Sequence, residues 1–168
     1  MALDKSIIED GLINLGEKAA NGDTSSSWND FCDIIGNYAN GLTYPKPIGV
    51  SAGVASMKGI LSSLNEKTGA QAPVLVELAL LQLGIAIMSA YPLPVGPSSG
   101  MGSGVSPTIP PSTPLLLAPL FSNPNDLSVY ASQMALKIDI WFRSGVVDVG
   151  LLQPGTPPVP VPVPSPWQ

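Results

Sequence analysis

The side chains that could do chemistry in this chain are few and scattered. Asp30 and Asp33 stand three residues apart on a helical stretch, a spacing that sets two carboxylates on one face. Such a pair performs acid–base work when its surroundings split the two pKa values. No pocket-forming pattern accompanies it, so solvated helix faces are expected. Glu9 and Asp10 are adjacent and do not share a face. Histidine is absent, which removes the usual general base and the commonest metal ligand. Cys32 is the single cysteine and lies in the apolar context WNDFCDII, so it can make neither an internal disulfide nor a cysteine-based zinc site. A buried structural thiol is expected there. GPSSGMGSG, at 96–104, has the glycines of a phosphate loop but no lysine, no GxxxxGK[ST] order and no place between a strand and a helix, and reads as a flexible loop. There is no histidine to activate a serine, and acids at calcium-loop spacing are missing. These residues predict a non-enzyme with no catalytic residues, no cofactor and no metal.

Composition points the same way. Charged residues make up 11% of the chain, where about 25% is usual. So little charge favours association, either with protein partners or with lipid. The net charge is −5 and the seven basic residues, from Lys5 to Arg143, form no stripe that could follow phosphates, so nucleic acid is not expected as a partner. The start, MALDKSIIED, lacks the basic and apolar regions of a signal peptide, which predicts synthesis in a reducing cytosol.

The elements that must position these residues are helical. Ile8, Leu12, Leu15 and Ala19 predict a helix over 3–20 with Asp4 as its cap. Trp28, Phe31, Ile35 and Tyr38 predict a second over 27–39, stopped at Asn40-Gly41. A third is expected over 51–67, capped by Ser51. A fourth, over 73–90 with Pro73 in its first turn, is apolar nearly all round. Such a helix is either central in a core or spans a membrane. It is only about 26 Å long, and it carries Glu77 and Gln82 without flanking basic clusters, so a core helix is expected. Its small residues Ala79, Gly84, Ala86 and Ala90 allow close approach of neighbours. Leu127, Ala131, Met134, Ile138 and Trp141 give a fifth helix over 125–143 a heptad-like seam, capped by Asn125 or Asp126 and stopped at Gly145. The expected core is Leu12, Leu15, Phe31, Ile35, Met57, Leu61, Leu78, Leu81, Ile85, Met134, Ile138 and Trp141.

Two stretches break the helical pattern. Residues 92–124 are rich in Pro, Gly and Ser, yet include Leu115, Leu116, Leu117, Leu120 and Phe121, a cluster expected to pack on the core or on a neighbouring subunit. The chain closes on VVDVGLL, a short strand, and PGTPPVPVPVPSPWQ. Proline fixes φ and removes a donor, so this end reads as an extended polyproline-II-like arm that needs something to hold it. Residues expected to bind protein partners are Leu115, Leu116, Leu117, Phe121, Pro157, Pro158, Val159, Pro160, Val161 and the terminal anchor Trp167. PPVP, at 157–160, also matches the PxxP core of an SH3 or WW ligand, without a flanking arginine.

The run LSVYASQMALKIDIWFRSGVVDVG, residues 127–150, resembles the C-terminal part of small virion-associated proteins of tailed bacteriophages. In these an Ala-rich helix ends in an aspartate–aromatic–(Lys/Arg)–(Ser/Thr)–Gly corner followed by an extended terminus. The matching residues are Ile138, Asp139, Trp141, Arg143, Ser144 and Gly145. The VPVPVP end departs from the Gly/Thr-rich strands of that family, and no catalytic or binding residues carry over. The resemblance implies a virion protein made in the host cytoplasm.

The expectation is an all-α fold of about five helices around a central apolar helix, with a body over 1–145 carrying the 92–124 loop, and a strand and arm over 146–168. Its function would be structural: a capsid decoration or a neck, tail or baseplate subunit, bridging neighbours and copies of itself through loop and arm. Deletion of 154–168 should then leave the helical body intact. The alternatives are a small oligomeric pore-forming membrane protein using helix 73–90, and an adaptor presenting PxxP.

Overall fold

Six helices and five short strands follow the chain in a computed structural model that describes residues 3–64, 70–90, 105–122, 126–149, 151–153, 159–161 and 164–168. The helices are α1 (Ser6–Ala20), α2 (Ser27–Ala39), α3 (Val50–Leu61), α4 (Ala72–Ser89), α5 (Ala118–Ser122) and α6 (Leu127–Arg143). The strands are β1 (Val105–Ile109), β2 (Val146–Val149), β3 (Leu151–Gln153), β4 (Val159–Val161) and β5 (Pro164–Pro166). The fold is all-α, as the helical periodicities indicate. The glycine-rich 96–104 segment lies outside the described residues.

Local chemistry sets most boundaries. Asp4 Oδ1 accepts the Ser6 amide at 3.0 Å ahead of α1, and Asp126 Oδ1 accepts the Ser128 amide at 2.9 Å at the start of α6. Each supplies a partner to an amide that the helix leaves unpaired. Ser26 precedes α2 but turns its hydroxyl to Asp30 at 3.2 Å instead of to the backbone. Ser51 is not a cap: α3 starts one residue earlier, after Gly49. A Cβ on Gly49 would collide with the Ala86 carbonyl of α4, so glycine lets the two backbones meet. Helix α3 ends at Leu61, short of the expected residue 67, and residues 65–69 lie outside the described set.

The helices pack in chain order, α1 on α2, α2 on α3 and α3 on α4, while α6 closes against α1. The core is one cluster containing Leu12, Phe31, Ile35, Met57, Leu61, Met134, Ile138 and Trp141, with Leu15 half-buried at its edge. The expected core residues Leu78, Leu81 and Ile85 are instead exposed. Helix α4 buries Val76, Leu80, Leu83 and Ile87, the opposite stripe, against α3. Two apolar stripes of equal spacing run along α4, and the neighbour chooses between them. Gly53 leaves room for Leu83, and Gly84 admits Pro111 and the Trp141 ring.

The tail is tied to its own body. β2 pairs antiparallel with both β1 and β5, and β3 pairs antiparallel with β4. Proline-bearing β5 lies at a sheet edge, where a missing amide costs no ladder bond. After β5 the chain pairs with the 43–44 segment: the Gln168 amide donates to the Tyr44 carbonyl at 2.9 Å, and the Tyr44 amide donates to the Gln168 carbonyl at 2.8 Å.

Candidate functional site

The corner that ends α6 is built of side chains that hold separate chain segments together. Asp139 accepts the Tyr38 hydroxyl of α2 at 2.5 Å and the Arg143 Nε–H at 2.9 Å. Arg143 reaches on to the Leu3 carbonyl at 3.3 Å. Burial and the hydrogen bond to the Asp139 carboxylate both push the Tyr38 pKa above its ordinary value, so the hydroxyl stays a donor. Ser144 Oγ donates to the Trp141 carbonyl at 2.7 Å and accepts the Ser112 and Thr113 amides at 3.1 and 3.3 Å. A Cβ on Gly145 would stand 2.7 Å from the Trp167 indole, so only glycine admits the ring. The polar and small residues of this corner therefore each perform a packing or pinning task within the chain.

Trp167 completes that corner. It is 0% exposed, its Nε1–H donates to the Val146 carbonyl at 3.3 Å, and its ring lies 6.4 Å from Phe142. The expectation of an anchor for a neighbouring subunit is corrected: an indole in a chain end found its apolar partner within the same chain. Val159, Pro160 and Val161 likewise form β4 and pair with β3 through backbone, rather than presenting a free arm. Pro157 and Pro158 lie outside the described residues.

The leucine cluster divides. Leu115 and Leu117 are buried in the core, which corrects their assignment to a partner surface; Phe121 is half-buried against Tyr130. The segment is strung between two helices by polar side chains: Glu77 Oε1 of α4 accepts the Leu117 amide at 3.2 Å, and Lys137 Nζ of α6 donates to the Leu115 carbonyl at 3.1 Å. With both neighbours turned inward, Leu116 is turned out, 66% exposed at φ 51°, a left-handed conformation that bulky residues rarely adopt.

Two helices also carry exposed apolar residues. On α4 these are Val74, Leu78, Leu81 and Ile85, and on α6 they are Val129, Leu136 and Ile140. Sequence reasoning placed Leu78, Leu81 and Ile85 in the core; the uniform hydrophobicity of α4 was the available signal that one stripe would be left over. The sole charge on α4, Glu77, is engaged with Leu117, so the outward stripe is uncharged along the helix. Single exposed apolar residues are ordinary, whereas aligned rows mark contact surfaces.

Elsewhere, the paired carboxylates of α2 are each engaged by a lysine. Asp30 pairs with Lys18 at 3.2 Å and Asp33 with Lys58 at 2.7 Å, so the two carboxylates do not converge. Those four residues line shallow grooves of mixed polar and apolar character, about 280 and 360 Å³, on either side of α2. Cys32 is fully buried, and burial pushes its thiol up to about 11, away from reactive thiolate. Among the described residues no group of three or more His, Cys, Asp or Glu could hold a metal ion. No family model, no curated protein and no solved structure matches this chain.

Proposed function

We propose that the protein is a non-enzymatic structural subunit of a viral particle, of the tailed-phage decoration, neck, tail or baseplate kind. It bridges neighbouring subunits, copies of itself included, through the outward stripe of α4 and Leu116. The observation that carries the reading is an 18-residue helix that keeps Val74, Leu78, Leu81 and Ile85 at the surface with no charge among them. Burying such a row against a neighbour gains about 25 cal/mol for each Å² removed from water. The virion setting rests on the resemblance at the α6 corner. The bridging role moves from the arm, whose described end at 164–168 is held by its own body, to the helix face.

The test is gradient sedimentation of the native source followed by cross-linking mass spectrometry. Recovery in a fast-sedimenting particle, with Lys137 and other lysines linked to neighbouring subunits, is the expected result; a slow monomer without intersubunit links would refute the reading. A membrane alternative has its own observation. α4 is, among the described residues, the one helix long and apolar enough to cross a bilayer by length and composition. That reading requires α4 to leave α3, and it predicts recovery in the membrane fraction and resistance to carbonate extraction.

A further inference from the structure

A second feature lies on the far side of α1 and is independent of the α4 face. Between α1, the start of α2, α5 and the start of α6 sits a half-open apolar cleft of about 220 Å³. Its walls differ in kind. Four aromatic rings line it in two edge-to-face pairs, Trp28 with Phe31 of α2 at 6.1 Å and Phe121 of α5 with Tyr130 of α6 at 6.4 Å. Helix α1 contributes Leu12, Leu15 and the exposed Ala19, and Leu127 of α6 fills the space over Gly16. No charged side chain lines it.

Each of these features narrows the occupant. An apolar cavity of about 150 Å³ suffices to hold benzene, so this cleft has room for a single substituted or fused ring. An ion entering it would lose hydration with no charged partner in return. Perpendicular ring pairs present both edges and faces, which is the geometry in which a further aromatic ring packs best. The polar side chains among the lining residues are Ser27, Trp28 through its indole N–H, and Tyr130, whose hydroxyl burial pushes up to about 12, so it stays neutral and can donate to a phenol oxygen or accept an indole N–H.

We propose that this cleft binds one neutral planar aromatic molecule of phenol or indole size, packed among Trp28, Phe31 and Phe121 with its polar group on the Tyr130 hydroxyl. The site does not depend on the assembly role proposed above.

Indole added to the full-length protein is the probe, read by unfolding midpoint and by the indole N–H signals of Trp28, Trp141 and Trp167 in a proton–nitrogen correlation spectrum. Indole should raise the midpoint and move the Trp28 signal while the two buried tryptophans stay in place. Ala19→Phe, on the exposed rim, fills the space and should abolish both effects. Tyr130→Phe should weaken indole about 5- to 10-fold, the loss of one hydrogen bond, and leave toluene binding unchanged. If Ala19→Phe does not fold, the contrast between indole and toluene in Tyr130→Phe still decides. A Trp28 signal unmoved by millimolar indole in the folded protein overturns the proposal, as does binding of tetramethylammonium at least as tight as that of indole.

Discussion

Tyr38 and Asp139 form the one side-chain hydrogen bond that joins α2 directly to α6, and the aspartate is shared with Arg143. Removing the hydroxyl leaves a half-buried carboxylate short of a donor, so Tyr38→Phe should cost about 1–3 kcal/mol, read as a lower urea midpoint with unchanged slope. The same group gives the protein an alkaline limit. Burial and the Asp139 carboxylate raise the folded-state pKa of Tyr38, and burial raises that of Tyr130 to about 12. A raised tyrosine pKa means the folded chain holds protons that the unfolded chain releases. Stability from both groups is therefore complete below about pH 10, the unfolded value, and falls as pH rises toward 12 and beyond. Urea midpoints measured from pH 8 to 12 should be level and then decline, and Tyr130→Phe should flatten part of the decline. At this scale the sequence was legible where chemistry is local: Asp4 and Asp126 as helix starters, Cys32 as a buried thiol, Asp30 and Asp33 as surface carboxylates. The Tyr38–Asp139 bond spans most of the chain and has no local signature.

Helix α4 shows what an element's own sequence can and cannot decide. Its existence and length follow from eighteen residues of helix-compatible, apolar composition with proline in the first turn. Its orientation does not, because the stripe Val76, Leu80, Leu83, Ile87 and the stripe Val74, Leu78, Leu81, Ile85 are equally apolar. The choice is made by α3, where Gly53, and Gly49 just ahead of the helix, let the first stripe in. Helix α6, with polar residues between its apolar ones, was readable: of the seam Leu127, Ala131, Met134, Ile138 and Trp141, the last four are buried as their spacing indicates and Leu127 is half-buried at its start. A paired substitution tests the orientation of α4. Leu83→Ala should cost about 2–5 kcal/mol through the cavity it opens, whereas Leu81→Ala should cost about 1 kcal/mol or less, both measured by chemical denaturation. Equal losses would mean that both stripes are buried in solution, which is the outcome expected if copies of the chain already cover the outward one. Leu81→Glu should then shift the sedimentation coefficient toward monomer while leaving the circular dichroism helical.

At the scale of the whole molecule, the chain end belongs to the body. The sequence showed that alternating valine and proline is extended and must be held; it did not show by what, because Trp167 meets Gly145, Val146 and Phe142 only once the chain has folded back. A proline-rich arm that served neighbours alone could be cut without loss to the protein itself. Removing 164–168 here takes away β5, the ring that fills the Gly145 corner and the pairing of Gln168 with Tyr44. Loss of a buried tryptophan alone costs about 3–5 kcal/mol, a large share of the 5–15 kcal/mol that roughly spans domain stability. The truncated chain should therefore show a sharply lower urea midpoint or no cooperative transition, in place of the intact helical body expected of a free arm. Trp167→Phe separates the contributions: it keeps an apolar ring against Phe142 but gives up the bond to Val146, and should cost about 1 kcal/mol more than its lost area. If the chain lacking 164–168 unfolds at the same urea concentration as the full chain, the tail contributes nothing to the body and is free to bridge neighbours after all.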